Sequence, residues 1–256
     1  MGTSVEASLD LAAWSRLLAL GFTVPHETSL AEMRWIADAL LHDAPPGPGT
    51  EALAQLAGAL RDPAVVAAAP SDYSSLFDRD APCPPYEGSY DGDPFRQVRQ
   101  MSDVAGFYRA FGAEAAGPYA DRPDHVACEL EFLSFLVLRE IAAEEEGREE
   151  DAVTCRAAAD AFLRDHLGRW LGPFCEAVAA SAPSALYAAL ARFGAVAVRD
   201  ELARRGIRPA PLGERRRWSV EADELVCGHE GASSAAQPRP RAGGPAPPPP
   251  GAGTGG

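Results

Sequence analysis

Lysine is absent from this 256-residue sequence: all 23 basic residues are arginine, and they stand against 37 acidic residues. Without lysine the chain cannot form a Schiff base with a carbonyl substrate or build a Walker-type phosphate loop. The formal net charge of −14 repels nucleic-acid phosphates and anionic lipid, and it attracts cationic partners. We therefore expect no nucleic-acid partner and a partner that carries positive charge.

Cysteines and long apolar runs are also scarce. The five cysteines form no Cys-x-x-Cys pair and are odd in number, which is typical of reduced cytosolic thiols and not of disulfides or a zinc site. The most apolar window, 126–138, is too short and too charged to cross a bilayer. The first ten residues, 1–10, lack the basic and apolar regions of a signal peptide. We expect a cytoplasmic protein without membrane insertion.

Signatures of catalysis are missing as well. The sequence has no glycine-rich phosphate loop after a predicted strand and no Gly-x-Ser-x-Gly motif, and no cysteine has a convincing histidine partner. We therefore predict a protein that is not an enzyme, with no catalytic residue, no metal ligand and no cofactor.

Alanine-rich segments with apolar residues three and four positions apart dominate the chain, whereas alternating runs of valine, isoleucine and threonine are almost absent. This spacing is typical of helices and disfavours sheet. We predict an all-α fold with one helical bundle. The predicted helices are 6–21, 28–42, 50–61, 94–112, 122–146, 150–181 with a break near 172–173, and 184–206.

Proline and glycine divide the rest of the chain. Segment 70–94 holds five prolines and four aromatic residues, which predicts an extended, ordered crossing and not a helix. Segment 231–256 holds seven glycines and seven prolines but no aromatic or branched aliphatic side chain, so burial cannot offset its ordering entropy. We predict one helical domain over 1–230 and a disordered tail over 231–256.

The most informative motif is Pro-Asp-His at 123–125, followed by an apolar helix that contains Glu129 and Glu131. On structural grounds Asp121 could cap that helix, with the proline in its first turn. The histidine and the two glutamates are left unexplained, and a carboxylate in such a helix must find a donor or shift its pKa. A structural and a functional interpretation both stay open for these three residues.

Two further motifs have competing interpretations. Segment 84–90, Pro-Pro-Tyr-Glu-Gly-Ser-Tyr, holds Tyr86 and Glu87 on a stiff chain, but its tyrosines could simply cover the core. Segment 162–174 has apolar residues and His166 at helical spacing, which predicts a core stripe. A helical metal-dependent hydrolase that uses His125, His166 and nearby carboxylates is the alternative, and it predicts that these side chains converge.

Taken together, these motifs resemble the TorD/DmsD/NarJ family of molybdoenzyme maturation chaperones. The resemblance covers roughly residues 5–206, and Gly88 departs from the family's Tyr-Glu-Ser pattern. The segments that carry it, in the family's order, are Tyr-Ser-Ser-Leu-Phe at 73–77, Pro-Tyr-Glu-Gly-Ser-Tyr at 85–90, Pro-Asp-His at 123–125, Glu-Leu-Glu-Phe-Leu at 129–133 and His-Leu-Gly-Arg-Trp at 166–170.

The resemblance implies an all-helical cytoplasmic chaperone that binds the signal peptide, and parts of the folded body, of a molybdopterin-containing catalytic subunit. Family members hold such subunits until cofactor insertion is complete, which prevents premature twin-arginine export. A homodimer is compatible with the sequence. The resemblance places Tyr86, Glu87, Pro123, Asp124 and His125 around the peptide-binding groove, and the chain's own charge pattern adds Glu129 to the predicted peptide-binding residues. The carboxylates among these six are predicted to contact arginines, and the others to shape the groove.

Charge and apolar pattern agree with this interpretation. A twin-arginine peptide carries two guanidinium groups and an apolar helical stretch, so its receptor needs carboxylates beside an apolar groove. An acidic helical bundle with carboxylates near aromatic side chains can supply both. One alternative within the family stays open: a NarJ-type assembly factor whose client is not exported would bind the client's N-terminus without needing a twin-arginine motif.

Overall fold

The alanine- and leucine-rich segments form α-helices, as their apolar spacing predicts. A computed structural model of the chain describes residues 2–42, 44–78, 82–92 and 94–213. Within these ranges there are nine α-helices and no β-strand, which confirms the all-α prediction. The elements are α1 (Gly2–Gly21), α2 (Glu27–His42), α3 (Pro48–Ala59), α4 (Pro63–Phe77), α5 (Pro94–Ala110), α6 (Val126–Glu145), α7 (Glu149–Asp165), α8 (Leu167–Ser181) and α9 (Ala185–Arg205), with short 3-10 helices at Glu87–Ser89 and Gly117–Tyr119.

The helices bury one continuous apolar core. The helix α6 packs against α1 and α7, α8 packs against α7 and α9, and α9 also packs against α3. Aromatic rings fill the centre: Phe22 meets Phe174 edge to face, with 4.9 Å between ring centroids, and Trp170 is fully buried beside them. Such close packing gives α6 and α8 fixed positions, and these two helices carry the site described below.

The predicted extended crossing over 70–94 is wrong for its first part, because α4 continues through Pro70 to its end at residue 77. A proline inside a helix costs about 3 kcal/mol. Two features offset this cost. The Asp62 side chain caps α4 by accepting an N–H of its first turn at 2.9 Å, and the second half of the helix buries Tyr73 and Leu76 in the core.

The helical segment 150–181 is interrupted at His166, and the break predicted near 172–173 is wrong. At His166 the backbone leaves the helical region, with φ −130° and ψ −104°, so that α7 ends and α8 begins there. Two residues after this break, position 168 requires glycine, because a Cβ there would overlap with the carbonyl oxygen of Leu163. Pro173 lies inside α8 and does not break it.

The described chain continues for a few residues beyond α9. Gly206 ends that helix with φ 66°, a left-handed conformation that favours glycine. The N–H of Ala210 then donates to the Arg164 carbonyl at 2.8 Å. The predicted domain boundary at 230 and the predicted tail over 231–256 lie outside the described residues. In the part of the chain that is described, no helix has the length and apolarity to span a membrane.

Candidate functional site

Two loops that are distant in sequence pair side by side and bring the predicted site residues together. Tyr86 and His125 form an isolated antiparallel β-bridge. The N–H of Glu87 donates to the carbonyl of Asp124 at 3.0 Å, and the first N–H of α6 donates to the carbonyl of Pro85 at 2.9 Å. Since two prolines precede Tyr86, the first loop stays extended and its backbone is available to the second loop.

The Asp124 carboxylate lies at the centre of this pairing, with only 1% of its side chain exposed. Arg122 binds it through two hydrogen bonds, from Nε to Oδ1 at 2.9 Å and from Nη2 to Oδ2 at 3.1 Å. The N–H of Gly88 also donates to Oδ2, at 3.3 Å. The Arg122 guanidinium lies 3.6 Å from the centre of the Tyr86 ring, and 40% of this arginine is exposed. A buried carboxylate and an aromatic face therefore form a guanidinium site, which the chain fills with its own arginine.

His125, and not Asp121, caps α6, so the helix begins later than the sequence predicts. Its Nδ1 accepts an N–H from the first turn at 3.1 Å, which places the proton of the neutral ring on Nε2. The imidazole stacks on Tyr119 with 4.0 Å between centroids and meets Tyr86 edge to face at 5.4 Å. Burial lowers the pKa of His125 to about 4, so the imidazole is neutral at neutral pH.

This neutral histidine predicts a loss of stability in acid. The folded-state pKa lies below the unfolded value of 6.5, so the unfolded chain gains protons first as the pH falls. Stability is therefore intact above about pH 6.5 and declines toward about pH 4, by about 2 kcal/mol between about pH 7 and about pH 5. Urea unfolding of the wild type and of His125→Asn would measure this, because asparagine caps without titrating. An equal decline in both proteins would assign the effect to other groups.

A second group of charged side chains fastens the first loop to the start of α8. Glu87 is fully buried, with its Oε2 3.1 Å from Nδ1 of His166 and its Oε1 3.4 Å from Nη1 of Arg169. The other end of Arg169 donates to Asp91 at 3.1 Å, and Gln100 donates to the same carboxylate at 2.8 Å. One buried arginine thus bridges two buried carboxylates. The predicted core position of His166 is confirmed.

Glu129 and Glu131 have opposite environments, although apolar residues surround both in the sequence. Glu129 is fully buried; Trp170 Nε1 donates to its Oε2 at 2.9 Å, and its Oε1 has no hydrogen-bond partner among the described residues. Burial, followed by the Glu87 carboxylate, raises the pKa of Glu129 well above its usual value and favours the neutral acid. Glu131 is exposed and pairs with Arg16 at 2.9 Å, so the expectation of an apolar environment is wrong for it.

The six predicted peptide-binding residues thus lie around one pair of loops and the first turn of α6, but not equally near the surface. Tyr86 and Pro123 are half-buried, and the solvent-facing part of the site consists mainly of Tyr86 with Arg122 above it. The role of all six in peptide binding stays a prediction. The four that are buried are Glu87, Asp124, His125 and Glu129.

Sequence reasoning missed several partners of these residues. Arg122 was the one with a signal, since it stands two positions before Asp124 in a loop, where a short ion pair can form. The others are Asp91 and Tyr119, which stand a few positions from Glu87 and His125 respectively, and Arg169 and Trp170, which come from the distant helix α8.

The alternative of a metal-dependent hydrolase needs His125 and His166 to converge with carboxylates. Instead, Nδ1 of His125 caps α6 and Nδ1 of His166 faces Glu87. Among the described residues, no group of three or more histidine, cysteine, aspartate or glutamate side chains is placed to hold a metal ion. The convergence that this alternative predicts is therefore not found in that part of the chain.

Residues 43–176, just over half of the chain, match the family model described as the nitrate reductase delta subunit. The chain belongs to this family. The matched range contains both loops, the whole of α6 and the start of α8, so the site lies inside the delta-subunit homology. The resemblance to TorD/DmsD/NarJ proteins is thereby confirmed.

Curated relatives of this delta-subunit family member match over shorter segments. The selenate reductase assembly chaperone protein of Thauera selenatis is 42% identical over 74 residues, which cover 29% of this chain and 37% of that protein. The chlorate reductase assembly chaperone protein of Ideonella dechloratans is 37% identical over 81 residues, 32% of this chain and 41% of that protein. The chain thus spans about two fifths of the length of these relatives. A crystal structure described as a redox enzyme maturation protein from Archaeoglobus fulgidus aligns with a TM-score of 0.49 and 22% identity, covering 73% of this chain and 93% of that chain.

Proposed function

We propose that this delta-subunit family member is an assembly chaperone for the catalytic subunit of a molybdopterin-containing oxidoreductase. Family membership supports the proposal, and so do the two relatives, which are named as assembly chaperones of selenate reductase and chlorate reductase. In this proposal the chain works in the cytoplasm and catalyses no reaction. It binds the client's N-terminal twin-arginine signal peptide and parts of its body, assists cofactor insertion and holds the client until export.

The observation that carries peptide binding is the guanidinium held between Asp124 and Tyr86. A client arginine offers the same group to the same partners. Arg122 can leave because 40% of its side chain is exposed, and the incoming arginine takes its place on the carboxylate. The exchange keeps Asp124 paired, which avoids the cost of a buried, uncompensated charge.

The other predicted residues surround this guanidinium site. Tyr86 provides the aromatic face, and Pro123 and His125 shape the second loop next to it. Glu87 adds negative charge beneath the first loop, and Glu129 holds Trp170 behind it. We therefore propose Asp124 as the direct partner of a client arginine, with the remaining five positioned around it.

We expect Asp124→Asn to weaken binding of the client peptide at least tenfold. Asparagine can still accept the Gly88 N–H but lacks the charge, and a hydrogen bond to a charged group contributes about 1.5–3 kcal/mol. Arg122→Gln is expected to strengthen binding, because it removes the internal competitor. Calorimetric titration would use the N-terminal peptide of the molybdoenzyme catalytic subunit encoded beside this chain, with and without its two arginines replaced.

Asp38→Asn is the matched control. It removes an exposed carboxylate that pairs with Arg61, and both of these residues are distant in sequence from the two loops. Thermal unfolding by circular dichroism would show that each variant is folded during the titration. Binding that ignores the peptide's arginines would favour a client that is not exported. Failure of the wild type to bind either peptide would contradict the proposed function.

A further inference from the structure

Trp35 is the most exposed large apolar side chain among the described residues, with 71% of its surface open to solvent. It lies on the outer face of α2. Ala31 and Ala39, one helical turn before and after it, are exposed as well, so its ring stands above a low surface. A single exposed apolar residue is ordinary, but tryptophan is enriched in protein interfaces, where its ring is buried and its N–H is bonded. This face of α2 therefore has the composition of a contact surface.

A cavity of about 530 Å³ opens beside this face, at the carboxyl-terminal end of α2, and α1, α3 and α9 complete its walls. Glu6 and Asp10 line it from α1, one helical turn apart, and their side chains are exposed, which places them at its mouth. The cavity thus combines an apolar interior with hydrogen-bond acceptors at the entrance. Its apolar lining includes Trp14, Leu40, Leu53 and Phe193.

The mouth of the cavity suits the N–H of an indole ring. Burial, followed by the neighbouring Glu6 carboxylate, raises the pKa of Asp10 above its usual value. Neither influence comes from a donor, so this carboxylate gains from a hydrogen bond that a partner brings. An indole has one N–H and no acceptor, and inside this molecule Trp170 Nε1 already donates to Glu129 at 2.9 Å. A tryptophan that enters the cavity therefore matches both its interior and its mouth.

The exposed tryptophan and the cavity lie close together on one helix. From Trp35 to Leu40, which lines the cavity, α2 rises about 7 Å at 1.5 Å per residue. A two-fold axis that passes halfway between these two positions places α2 of a second copy antiparallel to α2 of the first. Trp35 of each copy then lies opposite Leu40 of the other. One surface therefore carries both the protruding ring and the cavity that receives it.

Charge complements the apolar contact. Arg34 stands next to Trp35, is exposed, and makes no hydrogen bond or ion pair with another described residue. The helices α1 and α2 together carry five carboxylates and two arginines, so Arg34 of one copy approaches a surface of negative potential on the other. The net charge of −14 repels the two copies as wholes, so the tryptophan contact must supply most of the affinity.

We propose that the chain forms a two-fold symmetric dimer in which Trp35 of each copy enters the cavity of the other. The indole ring packs against Trp14 and Phe193, and its N–H donates to Asp10 at the mouth. A contact that uses the same surface on both copies closes on itself, so no larger assembly follows. The dimer is independent of the proposed function, because none of these contact residues lies in either loop of the site.

Sedimentation equilibrium of the full chain over a range of concentrations tests the tryptophan contact. The wild type is expected to equilibrate between a monomer of 27.0 kDa and its dimer. The contact is small, so its Kd should lie in the micromolar range. Trp35→Ala is expected to raise this Kd about a hundredfold, since each dimer loses two anchors that contribute about tenfold each. Val153→Ala, at an exposed position on α7 outside the cavity, is the matched control and should leave the Kd unchanged.

A mixing experiment tests the exchange itself. Ala197→Phe fills the cavity from α9 and leaves Trp35 in place. Homodimers of this variant, like those of Trp35→Ala, lose both tryptophan contacts. In a mixture of the two variants, Trp35 of one copy meets the intact cavity of the other, and each heterodimer regains one contact. The mixture is therefore expected to associate about tenfold more strongly than either variant alone, a rescue that misfolded protein cannot produce.

The charged contact has its own pair of substitutions. Arg34→Glu is expected to weaken dimerisation about tenfold at low salt, and the difference from the wild type should shrink as salt is added. Arg109→Glu makes the same change in net charge at an exposed position on α5, outside the cavity. Its effect should be much smaller, which separates a local contact from general repulsion.

Two results would overturn this dimer. A wild type that stays monomeric at every concentration has no such contact. A dimer that neither Trp35→Ala nor Ala197→Phe weakens has its interface elsewhere on the chain. Both results leave the proposed function standing, because the peptide titration is a separate measurement, and a peptide that fails to bind likewise leaves the dimer standing.

Discussion

Gly168→Ala is expected to destabilise the protein by about 3 kcal/mol or more. The new methyl group would overlap with the carbonyl oxygen of Leu163 and would also press on a methyl group of Leu202 at 3.0 Å. The carbonyl cannot move freely, because it belongs to the last turn of α7 beside the break at His166. The first turn of α8 would have to shift, and with it Arg169, which holds the first loop of the site.

Gly172→Ala is the control in the same helix. Apart from the neighbouring backbone of α8 itself, no atom of the described residues lies within 4 Å of a Cβ at this position, and alanine is the better helix former by about 1 kcal/mol. Urea unfolding should therefore show the two variants moving in opposite directions from the wild type. Similar free energies of unfolding for both would mean that the junction between α7 and α8 tolerates a side chain, and the packing described there would be incorrect.

Arg169→Met is expected to cost about 3–5 kcal/mol of unfolding free energy. Methionine fills similar volume, but it removes the cation that binds both Glu87 and Asp91 in a buried environment. Since Glu87 fixes the first loop, we also expect peptide binding to fall in protein that is still folded. Urea unfolding and the calorimetric titration measure the two effects.

Arg164→Met separates this result from the general loss of an arginine. Arg164 is about half exposed, and its side chain pairs with its neighbour Asp165 on the surface. Exposed pairs of this kind contribute up to about 1 kcal/mol, so the variant should remain close to the wild type. If Arg169→Met lowers the free energy of unfolding no more than Arg164→Met does, the buried ion pairs of Arg169 do not hold the first loop in place.

Much of the fold could be predicted from helical spacing, and the errors have identifiable physical causes. The sequence pattern located α2, α6 and α9 to within a few residues. It missed α4 because Pro70 is a strong local signal against helix, and burial of the aromatic residues after it outweighs that signal. It misplaced the break near 172–173 because Gly172 and Pro173 are strong local signals against helix, whereas the break lies at His166, whose side chain contacts Glu87 from a distant part of the sequence.

The site was predictable where its signals are local. The Pro-Asp-His motif at 123–125 and the proline-rich segment at 84–90 marked both loops, and the structure pairs them. The burial of Glu87 and Glu129 was not visible, because their partners Arg169 and Trp170 lie on the distant helix α8. A local pattern identifies residues with unusual chemistry, but it does not show which of their atoms face solvent.

The internal arginine on Asp124 also has a consequence for discrimination. Because Arg122 stands two residues from its carboxylate, it competes at an effective concentration that we place in the millimolar range or above. A single arginine on an unrelated protein only replaces the guanidinium of Arg122 with another guanidinium, so its net binding free energy is small. A peptide that adds a second basic residue and a long apolar stretch makes further contacts, and these give it enough binding free energy to displace Arg122. Under the proposed function, Arg122 thus reduces binding of unrelated arginine-containing ligands. It also pairs with Asp124 again when the client dissociates, so that this carboxylate is never left without a cation.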